Sequence, residues 1–261
     1  TKFFSKKSIS GECIALSRNP RTDAKDVTSY QVDLLQGRRV ETIINGIALN
    51  DVEHVVYVHC VGKFGIDFRL EEIARNGLEP NDYAIDPEVY KSNVVTCLNV
   101  MGPLLNRVIC QRATLTVCIL DSLCDRTRTR AGMADVPFWR SFAYAKRELR
   151  NYLKKIVRET AQVRAVSTNV STINTTSERD LRPNADWRFW LLPPEVVKAS
   201  RDAILFGTGA WYDVDTYKVR PGFDLNKYYF NLPDMWGRWE REMGPSFEKY
   251  ALKPRKLLGN H

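Results

Sequence analysis

The sequence predicts an α/β protein: a doubly wound parallel sheet with helices on both faces, followed by an aromatic-rich C-terminal extension. Three observations carry this. Short apolar runs, several of them β-branched, recur along the chain and are too brief for helices. Longer segments with apolar residues at helical spacing separate them. Their alternation is the pattern of parallel βαβ units, whose strands are covered on both sides. Residues 1–224 read as the α/β domain and residues 225–261 as the extension.

Taken in order, Cys13–Ser17 is a short apolar strand followed by a polar turn at Arg18–Asp23. Tyr30–Leu34 is a second strand, and Arg39–Leu49 places Val40, Ile43, Ile44 and Ile47 at helical spacing. Val55–Val61 is too short and too branched for a helix and reads as a strand. A charged loop with Gly77 leads to a helix over Pro87–Cys110, then a strand over Thr114–Leu120. A helix over Phe138–Thr160 and a strand over Val163–Val170 follow. Beyond Leu225, Tyr228, Tyr229, Phe230, Trp236 and Trp239 make an aromatic tail, which packs on its own domain or forms a subunit or partner interface.

Composition narrows the function classes. At 261 residues and 44% hydrophobic, the chain is long enough to bury a sizeable core. No uninterrupted apolar run approaches the roughly 20 residues that span a bilayer, and Thr1–Lys7 does not read as a secretory signal. The six cysteines contain no CxxC pair and sit mostly in apolar runs, which fits a reducing compartment, cytoplasm or mitochondrial matrix. Only three histidines are present, so a multi-histidine metal site is not expected. The net charge of +8 gathers at Arg126, Arg128 and Arg130 and from Lys146 to Arg158. It reads as a solvated helix face with a basic loop, or as a surface for RNA or an acidic partner. No P-loop, nucleophile elbow or HExxH motif is present.

The order of these features, over roughly residues 10 to 210, resembles the short-chain dehydrogenase/reductase family of Rossmann-fold, NAD(P)-dependent oxidoreductases. The resemblance implies roles for particular residues. Arg18, after the second family strand, stands where an arginine often meets the 2′-phosphate of NADPH. Asp33 resembles the acidic residue near adenine. Gly62, in Val58-His59-Cys60-Val61-Gly62, stands where the family has Asn-Asn-Ala-Gly. Asn93, with Asn99 as its rival, resembles the helix asparagine that helps hold a proton-relay water. Ser122 resembles the substrate-orienting serine, and Lys146 the lysine that binds the nicotinamide ribose. Each has a plainer reading. Lys146 would be a solvated helix lysine, Ser122 a turn or cap, Asn93 a satisfied helix amide, Arg18 an exposed side chain and His59 a hydrogen-bonded core residue.

Two departures shape the functional expectation. The family's tyrosine stands four residues before its lysine, on the same helical face, where the ammonium lowers the phenol's pKa. Counting back from Lys146 gives Phe142, which has no proton to donate. Tyr144 is two residues from Lys146 and would serve only if the helix were irregular there. The second departure concerns the family's first strand and glycine-rich turn. They should precede Arg18 by about one helix, yet Thr1–Ser5 already reads as the tail of that helix. Either the sequence is a fragment or another segment fills the slot. The expectation is a divergent protein with lost or impaired oxidoreductase chemistry, acting as a binding or structural subunit. The alternative is an active NAD(P)-dependent oxidoreductase with an unusual proton donor.

Overall fold

The computed structural model describes residues 11–19, 26–64, 85–123, 140–218 and 232–246. The residues 126–130 of the basic loop, most of the aromatic tail and the 224/225 domain boundary lie outside the described residues. The chain forms two compact units, one of residues 1–55 and 95–114, the other of residues 56–94 and 115–261.

In the first unit, β1 (Cys13–Ser17) pairs in parallel with β2 (Val27–Gln31), with Cys13 opposite Val27 and Ser17 opposite Gln31. The second strand therefore ends where Tyr30–Leu34 was expected to be under way. Asp33 explains the shift: its Oδ1 accepts from the Leu35 N–H at 2.9 Å and its carbonyl from Gln36, which turns the chain. Helix α1 (Gly37–Gly46) follows and buries Val40 and Ile44.

The second sheet runs in the order β3 (His54–His59), β4 (Thr114–Ser122), β5 (Val163–Val170) and β6 (Trp211–Thr216). Strand β5 pairs in parallel with β4 on one side and β6 on the other. Nearly every residue of β5 is buried, so both of its faces are covered. Helices α4 (Arg140–Glu159) and α6 (Pro193–Phe206) provide that cover. The architecture is thus α/β, parallel and Rossmann-like. Strand β6 escaped the sequence reading because Trp-Tyr-Asp-Val-Asp-Thr carries two acids among its six residues. Those acids are tolerated because Asp213 and Asp215 face the amide of Asn169.

The helical run expected over Pro87–Cys110 is present but interrupted. Asp86 caps α2 (Pro87–Tyr90), accepting from the N–H groups of Glu88 and Val89, with Pro87 in the first turn. A π-helical turn over Lys91–Val95 then leads into α3 (Thr96–Cys110). The π turn has a local cause. Asn93 Nδ2 donates to the carbonyl of Val89, four residues back, at 2.8 Å. A side chain occupying that carbonyl widens the helical ladder. By length and mean hydropathy this 24-residue run could cross a membrane. Much of it is core: Val89, Val94, Cys97, Val100 and Val108 are at most 2% exposed.

Near the C-terminus, α5 (Thr176–Leu181) is followed by Arg182, which is buried and stacks 4.4 Å from the Trp190 ring. Arg182 pairs with Glu178 and with Glu242 of α7 (Leu232–Met243), at 2.9 and 3.2 Å.

Candidate functional site

The site is built where β3 and β4 end and α2 and α4 begin. Helix α4 starts beside α2 because Ser141 Oγ accepts from the backbone N–H of Asp86 at 3.0 Å. That places Lys146, one turn further on, inside the unit. Its side chain is 6% exposed, and Nζ donates to the carbonyl of Leu120 at 2.9 Å. The Lys146 Nζ lies 5.4 Å from the centre of the Phe142 ring, and Phe142 packs edge-on against Phe64, also at 5.4 Å. An apolar ring, Phe142 backed by Phe64, therefore stands one helical turn before the ammonium.

Gly62 brings the other wall close. A Cβ on Gly62 would sit 2.5 Å from Asn93 Oδ1 and 3.7 Å from Lys146 Nζ, so the backbone runs there only without a side chain. Asn93 is fully buried. Its Nδ2 donates to Lys63 and Val89 carbonyls, while its Oδ1 has no hydrogen-bond partner. His59 is 2% exposed and shares Nδ1 with the Tyr57 hydroxyl at 2.9 Å, leaving Nε2 without a partner. Burial first, and the Lys146 charge second, push the His59 pKa down to about 4. The ring is neutral at pH 7.

The structure therefore brings Gly62, Asn93 and Lys146 together. Ser122 lies two residues beyond the carbonyl that holds Lys146, at the end of β4, and its N–H bonds Asp121 Oδ1. Asn99 is elsewhere: its Nδ2 donates to the Leu34 carbonyl, and its Oδ1 lies against Gly37. Tyr144 does not join the lysine. Its ring meets Tyr90 of α2 at 6.2 Å, because residues two apart on a helix face different ways and α4 is regular there. In the other unit, Arg18 is exposed and its carbonyl accepts from the Gln31 side chain, while Asp33 holds the turn already described.

Sequence reasoning missed two features. One is the Tyr57–His59 pair, whose signal was the two-residue spacing that puts alternate strand side chains on one face. The other is a buried ion pair. Asp121 is 2% exposed and meets Arg150 Nη2 at 2.5 Å, with Ser167 and Asn169 completing the network. Among the described residues no group of three or more His, Cys, Asp or Glu side chains is placed to hold a metal. Cys118 is a core residue, its thiol pushed up to about 11 by burial.

This fold is that of the short-chain dehydrogenases. A 4-hydroxyisoleucine dehydrogenase mutant complexed with NADH and succinate superposes with a TM-score of 0.59 at 16% identity, covering 83% of this chain and 90% of that one. A short chain dehydrogenase from Burkholderia cenocepacia in complex with NADP gives 0.56 at 15% identity, over 87% and 97% of the two chains. An alcohol dehydrogenase from the archaeon Thermococcus sibiricus complexed with 5-hydroxy-NADP gives 0.53 at 18% identity, over 76% and 78%. No family model and no curated protein matches the sequence itself.

Proposed function

We propose that this chain is a dehydrogenase-fold binding or structural subunit whose carbonyl-to-alcohol chemistry has lost its proton donor. The observation that carries this reading is the Phe142 ring beside Lys146 Nζ, in the place where a phenol would face the ammonium. Proton transfer by a positioned acid typically contributes about 10² to 10⁴ in rate, and a benzyl group contributes none of it. The remaining wall fits the nicotinamide-ribose end of NAD or NADP. Lys146 would hold a ribose hydroxyl, Gly62 leaves room for close approach, and the Asn93 Oδ1 awaits a donor. When bound, such a cofactor supplies a hydride. Arg18 and Asp33 are the proposed adenosine-end contacts, by resemblance alone.

The test uses the full chain with NADH or NADPH and a panel of aldehydes and ketones. Dinucleotide binding by calorimetry without turnover is expected. Robust wild-type turnover would overturn the reading. Phe142→Tyr restores a phenol four residues before Lys146, and we expect it to raise any trace reductase activity by about 10².

A second reading, an active NAD(P)-dependent oxidoreductase with an unusual donor, is favoured by one observation. Lys146 remains buried and held at Leu120 although its usual phenolic partner is gone. The partner proposals stand apart from both readings: a second copy or protein partner at residues 225–261, and RNA or an acidic partner at residues 126–158.

A further inference from the structure

We propose that the first unit carries a binding site for small aromatic phosphate monoesters, in the cavity between β2 and α1. The cavity, of about 730 Å³, is lined by Ser29, Tyr30 and Gln31 of β2 and by Arg38, Arg39, Thr42 and Ile43 of α1. That volume lies within the range of small-molecule sites. The α1 wall follows from helical spacing. Val40 and Ile44 are buried, whereas Arg38 with Thr42, and Arg39 with Ile43, stand four residues apart on the adjoining flank.

The chemistry of this lining is one-sided. It holds two guanidinium groups and no carboxylate, and no acidic residue stands in the first turn of α1. Arg39 Nη2 donates to the Gln31 carbonyl at 3.2 Å, which ties this guanidinium from α1 to β2 and leaves its other N–H groups for a ligand. Gln31 Nε2 and Thr42 Oγ1 are already committed, donating to the Arg18 and Arg38 carbonyls at 3.0 and 2.9 Å. Among the described residues no hydrogen bond or ion pair engages the side chain of Arg38, Ser29 or Tyr30. The available donors are therefore two guanidinium groups and two hydroxyls. They suit a phosphate monoester, which brings close to two negative charges and three acceptor oxygens and pairs with guanidinium through two parallel bonds. Inorganic phosphate displaces only a few waters of roughly 30 Å³ each, so most of the cavity is left for an organic group. The half-buried Tyr30 ring and Ile43 give that group an apolar wall. Arg38 and Arg39 are exposed, so the ligand enters from solvent. Gly62, Asn93 and Lys146 belong to the other unit, and neither Arg18 nor Asp33 lines this cavity, so the site stands apart from the proposed dinucleotide contacts.

The experiment is calorimetric titration of the full chain with phenyl phosphate, inorganic phosphate and benzoate at one ionic strength. Phenyl phosphate should bind at least about tenfold more tightly than either of the others. Arg38→Gln removes a guanidinium that holds no structural contact, and it should weaken phenyl phosphate by about ten- to a hundredfold, the usual worth of a charged hydrogen bond. Lys198→Gln removes the same charge from an exposed position on α6 and should leave the affinity within about twofold. Absence of phenyl phosphate binding, benzoate or inorganic phosphate binding as tightly, an unchanged affinity in Arg38→Gln, or an equal loss in Lys198→Gln would each overturn the proposal. Displacement of phenyl phosphate by NADH would overturn it too, by giving these arginines to the cofactor. Dinucleotide turnover in the same sample bears on the proposed function alone.

Discussion

His59 replaces a solvated imidazole by a buried neutral one, and that substitution of environment has a measurable sign. In the unfolded chain the ring takes a proton near pH 6.5, whereas in the fold it does so only at about 4. Between those values the unfolded state binds more protons, so stability falls as pH drops from 6.5 to 4 and levels off below. One pKa unit is about 1.4 kcal/mol, so the window removes about 3 kcal/mol. Urea unfolding at a series of pH values checks this, and His59→Asn should lose that part of the acid slope. Gly62 gives the second prediction at this scale. A methyl group there would meet Asn93 Oδ1 at 2.5 Å, and Asn93 is pinned by two carbonyls. Gly62→Ala should therefore destabilise by about 1 to 3 kcal/mol, the usual cost of overpacking. A midpoint shift in urea without a change of slope would be the signature.

At the level of elements, the Asp121–Arg150 pair fastens α4 to β4, and with it the position of Lys146 one turn earlier. Asp121 Oδ2 accepts from Nε and Nη2 of Arg150 and from Ser167 Oγ; the carboxylate is wholly buried and the Arg150 side chain nearly so. Arg150→Met would leave that carboxylate buried and unpaired, and we expect a loss of about 3 to 5 kcal/mol by denaturant unfolding. The double change Asp121→Leu with Arg150→Met should recover most of it, because the charge to be desolvated is gone as well. Elements were also where the sequence spoke most clearly. Val163–Val170 reads as a buried strand because almost every position is apolar or small, and the structure places β5 over those residues. Phe138–Thr160 reads as a helix, and the structure places α4 over Arg140–Glu159 within it. The π turn was not legible, since it depends on where the Asn93 amide points. Strand β6 was not legible because two aspartates mask its pattern until Asn169 is seen beside them. Within the site, the lysine and the missing phenol could be read from a four-residue spacing. The convergence of Gly62 and Asn93, about thirty residues apart, rests on tertiary geometry that no local pattern encodes.

For the molecule as a whole, the net charge of +8 invites a polyanion, but the placement of the cations limits how many of them a phosphate chain can reach. Along α4, Arg150 is held by Asp121, and Lys154 lies 4.9 Å from the centre of the Trp211 ring. Lys155 pairs with Glu159 at 4.0 Å, while both remain well exposed, and Arg158 Nε donates to the Lys154 carbonyl. Surface pairs such as Lys155–Glu159 exchange easily with other anions, so Lys155 and Arg158 stay usable, as does part of the Lys154 charge. Each phosphate neutralised on a single strand adds about −0.7 to the log–log salt slope, so three cations give about −2. We expect the association of single-stranded RNA with the full chain, followed by fluorescence anisotropy from low to moderate salt, to show a slope no steeper than that if α4 alone is responsible. A slope twice as steep would assign the rest to the arginines at 126, 128 and 130, and replacing those three by glutamine should then return it to the α4 value. A slope near zero would mean that the positive charge serves solubility and the α4 surface binds no nucleic acid.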